Sequence, residues 1–245
     1  MQLTLEGRTI DQEAIELLQV TVGNHTAYAT MSGGKDSVVE VDLVRRSGIK
    51  HELHYAVTGL DAPGTIRFIR ANYPECIFDR PKRTFWRGVL IHGLPTRIAR
   101  WCCAELKECY GHDRLVITGI RRDESTGRSH RNCTEQSYLD KTKIFLHPIF
   151  SWSLNDVWQY IDERQLPHNP LYYENGKRIT GRRIGCIGCP MASVTQCKME
   201  LARNPGFERL YREYAERYVQ ARIARGTPLT QKTGEEYFNW WIKRR

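Results

Sequence analysis

Short apolar runs alternate with amphipathic segments over the first two thirds of the chain. The apolar runs predict five strands, at 26–31, 51–57, 76–78, 115–120 and 144–149, because continuous apolar runs are typical of strands buried on both faces of a sheet. The segments between them predict helices at 38–46, 63–73 and 154–164, the last capped by Ser151 or Ser153. Strands that alternate with helices predict an α/β fold with a doubly wound parallel sheet.

The pattern changes near residue 170. Glycines interrupt the stretch that follows, and helical patterns then return at 192–203, 208–225 and 235–241. We therefore predict an α/β domain over residues 1–170 and a C-terminal helical extension over residues 171–245.

The charge of the chain narrows its class of partner. Its 245 residues include 37 Lys and Arg against 28 Asp and Glu, which gives a formal net charge of +9. This excess favours phosphate-rich partners, either nucleotides or nucleic acid. No run is long enough to span a membrane, and residues 1–6 show no signal-peptide pattern. We expect a cytoplasmic protein without a membrane partner, and homo-oligomer formation stays open.

The loop Ser32-Gly33-Gly34-Lys35-Asp36-Ser37 lies between a predicted strand and a predicted helix. Two glycines allow consecutive N–H groups to face an anion, and the helix N-terminus and Lys35 add positive charge. The spacing does not fit a Walker A loop. An ordinary glycine turn capped by Ser37 is the alternative. The six residues resemble the PP-loop of the ATP-pyrophosphatases, which split ATP between the α- and β-phosphates.

Two cysteine pairs form a second group, which we call the four-cysteine group: Cys102, Cys103, Cys186 and Cys189. Four thiolates can hold a tetrahedral zinc ion or an iron–sulfur cluster. Adjacent cysteines on a helix diverge by about 100°, which suits the separate corners of a cubane better than one small ion. Zinc, or thiols without a metal, are the alternatives. We expect a cluster to hold these segments together, since both have few hydrophobic residues with which to pack against each other.

Several segments resemble one family. A tandem Cys-Cys, a long gap and Cys-x-x-Cys are similar to the [4Fe–4S] pattern of the adenylyl-sulfate reductase branch of the phosphoadenylyl-sulfate reductase family. The segments 119–125, 148–158, 169–172 and 184–190 also resemble that family. The resemblance covers about residues 27–192 and implies the fold of the adenine nucleotide alpha hydrolases, with a cluster-binding extension.

Two departures from the reductases affect the function that the resemblance implies. Reductases end in a Glu-Cys-Gly-like motif with a catalytic cysteine, whereas no cysteine follows Cys197 here. Reductases also carry a degenerate phosphate loop, whereas the loop here is intact. The resemblance therefore favours the ATP-pyrophosphatase branch, which includes the enzymes of DNA phosphorothioation. It implies adenylation of an acceptor for sulfur transfer to DNA or RNA, with a cysteine desulfurase or thioredoxin-like protein as donor. A sulfite-producing reductase and a non-catalytic nucleotide sensor are the alternatives.

The expected site residues follow from these motifs. We assign catalytic roles to Lys35, Asp36, Lys107 and Arg121, and expect Asp36 to hold Mg²⁺ on the pyrophosphate. The alternatives are that Asp36 caps the helix, that Lys107 is a solvated lysine and that the arginines are an exposed charge run. Lys107, four residues after Cys103, is expected beside the cluster. We expect the loops at 32–37, 58–61 and 121–125 to converge at one crevice. The residues expected to bind ATP are Ser32, Gly33, Gly34, Lys35, Asp36, Ser37, Thr58, Gly119, Arg121 and Arg122. Cys109, Cys133 and Cys197 are candidate sulfur carriers, and more simply incidental thiols.

Overall fold

Six strands form one sheet in the order β3-β2-β1-β4-β6-β5. The structure, a computed structural model, describes residues 7–243 of the chain. The strands are β1 Ala27–Thr30, β2 His51–Ala56, β3 Ile77–Asp79, β4 Leu115–Ile117, β5 Thr134–Gln136 and β6 Ile144–Leu146. All neighbours pair in parallel except β5 and β6, which are antiparallel. The predicted α/β fold is confirmed, and the sheet has an additional antiparallel edge strand.

The contacts of the chain divide it into two units that alternate along the sequence. The first, which we call the sheet unit, comprises the chain up to Ala56, Pro63–Asp79 and Tyr110–Ile184. The second, the helical unit, comprises Val57–Ala62, Arg80–Cys109 and the chain from Gly185 onward. Residues 171–184 thus group with the sheet unit, and Arg80–Cys109 with the helical unit.

The sheet unit holds five α-helices among the described residues: α1 Ile10–Val22, α2 Lys35–Ser47, α3 Thr65–Asn72, α6 Thr126–Ser129 and α7 Leu154–Glu163. Helices α1 and α7 both pack against α2, whose valines and Leu43 are buried. A capping box at Ser153 starts α7, so Ser153 is the cap of the two expected. The predicted start of α3 at Pro63 is two residues early, because Gly64 takes the N-cap with φ of 95°. A short hairpin, β7 Tyr173–Glu174 and β8 Lys177–Arg178, completes this unit.

The helical unit holds five helices among the described residues: α4 Phe85–His92, α5 Trp101–Leu106, α8 Val194–Arg203, α9 Pro205–Ala224 and α10 Gly234–Lys243. Its core is rich in aromatic side chains. Phe85 stacks on Trp101 with ring centroids 5.3 Å apart, and Tyr211 stacks on Trp241 at 4.9 Å. The predicted C-terminal helical extension is therefore present.

The segments that carry the four-cysteine group share this core. Leu106 of α5 and Ile187, which lies between Cys186 and Cys189, are both buried in it. The expectation that these segments lack hydrophobic material is wrong, because α9 and α10 supply the apolar partners from far along the chain. None of the helices within residues 7–243 has the length and apolar character needed to cross a bilayer.

Candidate functional site

The loop between β1 and α2 makes a tight turn at two glycines. Gly33 has φ of 72°, in the left-handed region, and a Cβ there would lie 2.9 Å from Thr65 Cγ2. Gly34 is extended and takes the N-cap of α2, so that the helix begins at Lys35. A side chain at Gly33 would therefore be strained and crowded, which explains why the turn needs glycine.

Two serines close the ends of this loop. Ser32 Oγ donates to Ser37 Oγ across 3.0 Å, and Ser37 Oγ donates to the Gly34 carbonyl across 2.9 Å. The Ser32 N–H also donates to Ser37 Oγ at 3.2 Å. The Gly34 N–H in turn donates to Ser32 Oγ at 3.3 Å. These contacts hold the turn at the N-terminus of α2, where the helix dipole favours an anion that could replace such internal bonds.

A tyrosine that sequence reasoning had not assigned a role covers the same helix end. The Lys35 N–H donates to Tyr172 Oη at 2.8 Å, and Tyr172 is 1% exposed. Nearby, Asn169 Nδ2 donates to the Gly33 carbonyl at 3.4 Å. Burial raises the pKa of Tyr172 above its ordinary value, so the phenol is neutral at physiological pH. Tyr172 thus satisfies one of the N–H groups that a bound phosphate would use.

Asp36 pairs with two buried cations at this turn. Its carboxylate pairs with Lys35 Nζ at 2.9 Å and with Arg121 Nε at 2.6 Å. Arg121 also pairs with Asp123 and donates to the Trp152 carbonyl at 3.2 Å. Burial disfavours the charge on Arg121, but the two carboxylates outweigh burial and raise the pKa of the guanidinium. The loops at 32–37 and 121–125 therefore meet, as expected from the sequence.

Gly119 allows the end of the β4 segment to approach the first turn of α2. A Cβ on Gly119 would lie 2.8 Å from the carbonyl carbon and oxygen of Asp36, and 3.1 Å from the Ser37 nitrogen. These are backbone atoms, which cannot rotate away as a side chain can. Gly119 therefore acts by its absent side chain, and this close approach is what brings Arg121 within reach of Asp36.

A buried acid lies behind the loop. Glu40 on α2 is 0% exposed, and its Oε1 accepts from the Thr30 N–H at 3.2 Å. The carboxyl also interacts with the Gly119 backbone, while its Oε2 has no hydrogen-bond partner. Burial raises the pKa of Glu40 well above its ordinary value, which favours the neutral acid. Glu40 thus joins the ends of the β1 and β4 segments from which the two loops begin.

The remaining basic residues of this region differ in exposure. Arg122 is exposed and its guanidinium lies 5.1 Å from the centroid of the Phe150 ring. Arg128 forms an ion pair with Glu124. Neither contacts the 32–37 loop through a hydrogen bond or ion pair of the described residues, and the role of Arg122 in nucleotide binding stays a prediction.

The loop at 58–61 belongs to the helical unit, where it contacts the four-cysteine group. Thr58 is buried, its hydroxyl donates to Asp61 Oδ2 at 3.0 Å, and it lies 3.6 Å from Cys186 Sγ. Asp61 and Cys186 form an isolated antiparallel bridge, and the Ile187 N–H donates to the Leu60 carbonyl at 2.7 Å. The hydroxyl of Thr58, expected to bind nucleotide, is thus engaged beside a cysteine.

The Cys186–Cys189 segment is a tight turn. The Cys189 N–H donates to the Cys186 carbonyl at 3.1 Å, and Gly188 has φ of 73°. A Cβ on Gly188 would lie 2.6 Å from Tyr211 Oη, which itself donates to the Ile187 carbonyl at 2.9 Å. The turn is therefore held in place by backbone bonds and by α9.

The thiols of the four-cysteine group interact with one another. Cys102 donates a hydrogen bond to Cys103, which lowers the pKa of Cys103 to about 7 with help from the charge of Lys107. The same bond, together with burial and the charges of the other three thiols, raises the pKa of Cys102. No three His, Cys, Asp or Glu side chains within residues 7–243 converge as a formed metal site. The four thiols are suitable donors for a thiolate-bound group. Their side chains are not arranged around one point as a complete set of ligands.

Lys107 is the C-cap that follows α5, beside these thiols. The residue is exposed overall, but its ammonium group hydrogen-bonds to the Cys186 thiol. The charge of a Cys186 thiolate raises the pKa of Lys107, against the opposing effect of desolvation, and Asp61 adds to the rise. The structure thus places Lys107 with Cys186 and Cys103, so that it can balance thiolate charge.

The three candidate sulfur carriers lie outside the four-cysteine group and differ in burial. Cys197 is 0% exposed. Cys133 Sγ donates to the His147 carbonyl at 3.3 Å, and burial raises the pKa of this thiol. Cys109 Sγ donates to the Glu105 carbonyl at 3.0 Å. Because the thiolate is the reactive form, burial of Cys133 and Cys197 disfavours them as nucleophiles.

Comparison with known proteins identifies the family. Residues 26–192 match the model of the phosphoadenosine phosphosulfate reductase domain. The chain therefore belongs to the phosphoadenosine phosphosulfate reductase domain family. The match spans the 32–37 loop, the Arg121 loop and both cysteine pairs.

Individual relatives fall into two groups. The chain is 31% identical over 204 residues to an uncharacterised protein of Methanocaldococcus jannaschii, covering 76% of this chain and 42% of that protein. It is 26% identical over 189 residues to adenosine 5'-phosphosulfate reductase 1 of Bacillus subtilis, covering 71% of this chain and 76% of that enzyme. This chain thus spans less than half the length of the archaeal relative.

A solved structure supports the fold. The phosphoadenylyl-sulfate reductase of Candida auris, in a phosphate complex, aligns with a TM-score of 0.53 at 20% identity. The alignment covers 76% of this chain and 97% of that one. The similarity establishes a shared fold.

Proposed function

We propose that this chain is an ATP-pyrophosphatase that adenylates an acceptor for sulfur transfer. The observation that supports the proposal best is the intact 32–37 loop, with Lys35 and Arg121 buried at the N-terminus of α2. Splitting ATP between its α- and β-phosphates leaves pyrophosphate, on which negative charge develops. Preorganised N–H groups and buried cations stabilise such charge.

The balance of charge at the loop bears on Mg²⁺. Lys35 and Arg121 are matched by the carboxylates of Asp36 and Asp123. A triphosphate brought to this loop therefore needs further positive charge. Mg²⁺, which prefers carboxylate and phosphate oxygens, would supply that charge with Asp36 as its protein ligand. Lys35 and Arg121 would then move from Asp36 to the phosphate oxygens.

The proposed reaction has two steps. An acceptor oxygen attacks the α-phosphorus of ATP, the bond to the β-phosphate oxygen breaks, and pyrophosphate leaves. A sulfide ion then forms a bond to the activated acceptor atom while the bond to the AMP oxygen breaks. The products are thiolated acceptor, AMP and pyrophosphate, and no net oxidation occurs. The Gly33 and Gly34 N–H groups, Lys35 and Arg121 would act on the first step.

The four-cysteine group is proposed to hold a [4Fe–4S] cluster. Four thiols in one unit provide the right donors, and Lys107 is placed to offset the negative charge of thiolate ligands. Such a cluster supplies a redox-active, sulfur-containing centre when bound. Lys107 and the Gly188 turn would orient the thiols both with and without the bound cluster.

The acceptor is proposed to be nucleic acid, because the chain carries a net charge of +9. A cysteine desulfurase is the proposed sulfur donor and would deliver the sulfur as a persulfide. A dithiol of a thioredoxin-like protein would supply the two electrons that release it as sulfide, and would itself become a disulfide. A small-molecule acceptor is the alternative that a salt-independent activity would favour.

A sulfonucleotide reductase is the second candidate function. The similarity to adenosine 5'-phosphosulfate reductases of bacteria favours it. That reaction would need two electrons from a thiol pair to release sulfite and AMP. Burial of Cys133 and Cys197 makes a partner's thiol the better donor. A nucleotide sensor without turnover is the third candidate.

One assay separates these functions. The anaerobic protein is incubated with ATP, oligonucleotide and sulfide, or with each adenylyl sulfate and a dithiol, and pyrophosphate and sulfite are measured. Pyrophosphate supports the proposal, sulfite supports the reductase, and neither supports the sensor. We expect Lys35→Met to lower pyrophosphate release by about a hundredfold, the effect of losing one charge-stabilising group. Lys177→Met, an exposed lysine of the same unit, is the control.

A further inference from the structure

The positive charge of the chain is concentrated in one unit. The sheet unit contains 19 Lys and Arg and 19 Asp and Glu, whereas the helical unit contains 18 and 9. The whole formal excess of +9 therefore lies in the unit that carries the four-cysteine group. Residues 80–100 alone hold six basic residues and no acidic one. An excess of this size creates a field that attracts polyanions.

A fixed turn presents part of this charge directly before Cys102. The Thr96 N–H donates to the Ala99 carbonyl at 3.2 Å, and the Ala99 N–H donates to Thr96 Oγ1 at 3.1 Å. Trp241 Nε1 donates to the Pro95 carbonyl at 2.7 Å, which anchors the turn to the core. We call residues Thr96–Arg100 the basic turn.

The tip of the basic turn is an exposed apolar residue between two arginines. Ile98 is 99% exposed, and Arg97 and Arg100 are exposed on either side. A solitary exposed aliphatic residue is ordinary on a protein surface. Here, however, the bond from Trp241 and the two bonds between Thr96 and Ala99 hold the isoleucine outward, where it packs against no part of its own fold.

The basic turn lies close to the four-cysteine group. Arg97 Nη2 donates to the Ala192 carbonyl at 3.4 Å, which joins the turn to the segment after Cys189. Arg100 takes the N-cap of α5, and its carbonyl accepts from the Cys103 N–H at 3.0 Å. Among the described residues, neither Arg97 nor Arg100 forms an ion pair with a carboxylate. The Arg100 guanidinium and the N–H groups of Arg97 other than the one bonded to Ala192 can therefore bind an external anion.

We propose that the basic turn is a docking element for a nucleic-acid strand, with Arg97 and Arg100 on phosphates and Ile98 against a base or sugar. The inference extends the proposed function, because it places the acceptor strand at the four-cysteine group. A nucleic acid fits better than an acidic protein because it offers regularly spaced phosphates and flat apolar faces together. Aliphatic side chains contact or wedge between bases in this way, while arginines bind phosphates.

The test measures binding of labelled single- and double-stranded oligonucleotides by fluorescence anisotropy over a range of salt concentrations. The double variant Arg97→Glu/Arg100→Glu is compared with Arg225→Glu/Lys232→Glu, which changes the net charge equally in the same unit. Binding affinity falls as salt rises, and the loss of two phosphate contacts should make the slope of log affinity against log salt less steep by about 1.8 for duplex DNA. We expect the basic-turn variant to show this change and the control to keep the wild-type slope.

A second variant tests the apolar contact. Ile98→Ser should weaken binding by about tenfold, equivalent to about 1.4 kcal/mol, because an apolar contact is lost, and should leave the salt slope unchanged. Equal binding by the basic-turn variant and its control overturns the inference, as does a wild-type protein that binds no oligonucleotide at low salt. Binding of inorganic polyphosphate as tight as that of oligonucleotide, with no effect of Ile98→Ser, also overturns it.

These outcomes are distinct from failure of the proposed function. Binding that depends on the basic turn, in a protein that releases no pyrophosphate, supports the docking element and contradicts the ATP-pyrophosphatase. Pyrophosphate release with a small acceptor, in a protein that binds no nucleic acid, supports the ATP-pyrophosphatase and contradicts the docking element.

Discussion

Replacing Gly119 by alanine would place a methyl carbon against the first turn of α2. The added Cβ would lie 2.8 Å from the carbonyl carbon and oxygen of Asp36, whereas ordinary contact begins at 3.4 Å. The two backbone segments must therefore separate by about 0.6 Å, the difference between those distances. Overpacking of this kind costs roughly 1–3 kcal/mol of folding free energy.

The same displacement should weaken nucleotide binding. The Arg121–Asp36 ion pair has a separation of 2.6 Å, and the α2 N-terminus carries the loop that is proposed to bind phosphate. A shift of more than half an ångström would move these groups out of register with one another. We expect nucleotide affinity to fall by about tenfold, equivalent to about 1.4 kcal/mol.

The assay combines urea unfolding with calorimetric titration of a non-hydrolysable ATP analogue. Gly127→Ala is the matched control, since a Cβ at Gly127 meets no atom within 4 Å and its backbone does not need glycine. Wild-type stability and affinity in Gly119→Ala would refute the argument from close approach. A loss of stability with unchanged affinity would refute the link between this contact and the phosphate loop.

Three further predictions concern protonation, metal content and capping. The pKa of Glu40 is raised above 4.5 in the folded state. The contribution of Glu40 to the free energy of unfolding is therefore full below that pH. At higher pH it falls by about 1.4 kcal/mol for each pH unit, up to the folded pKa. Glu40→Gln should therefore gain stability relative to wild type as pH rises, and parallel urea-unfolding curves across pH would contradict this. Anaerobic protein should be brown with about four irons, each serine variant of the four-cysteine group should bleach it, and Cys76→Ser should not; one stoichiometric zinc would contradict the cluster. Tyr172→Phe should lower the stability of the nucleotide-free protein by roughly 1–3 kcal/mol, because the Lys35 N–H loses its partner; saturating nucleotide should restore much of this in thermal unfolding, and an equal loss with and without nucleotide would count against phosphate binding there.

The sequence predicted most of the sheet because its strands are apolar on both faces. Residues such as Ala29 and Ile117 are fully buried, and the continuous apolar sequence around them indicates burial on both faces of the sheet. Strand β5 escaped prediction because Thr134–Gln136 is polar and lies at the edge of the sheet. Helix α4 was missed although Thr84 caps it, since its few residues give little periodic pattern.

The site was predicted less completely, because local motifs do not reveal distant partners. The sequence indicated that Arg121 and Asp36 meet, since both follow neighbouring parallel strands. It gave no sign that Tyr172 bonds to the Lys35 N–H from 137 positions away. Nor did the sequence indicate that the Thr58 hydroxyl contacts Asp61 and Cys186. The backbone bond from Ile187 to Leu60 supports these contacts, and such bonds leave no sequence pattern.

The interleaving of the two units has a consequence for synthesis of the chain. Cys103 and Cys186 are separated by 82 residues, so at about 5–20 residues per second the first cysteine pair waits roughly 4–16 s for the second. The core of the helical unit cannot form before Trp241 has also left the ribosome, because Trp241 is part of that core. During this interval the nascent chain exposes two neighbouring thiols to any oxidant or metal ion in its surroundings. Slower translation lengthens the interval, so the redox state of the producing cell during elongation should decide how much of the chain matures correctly.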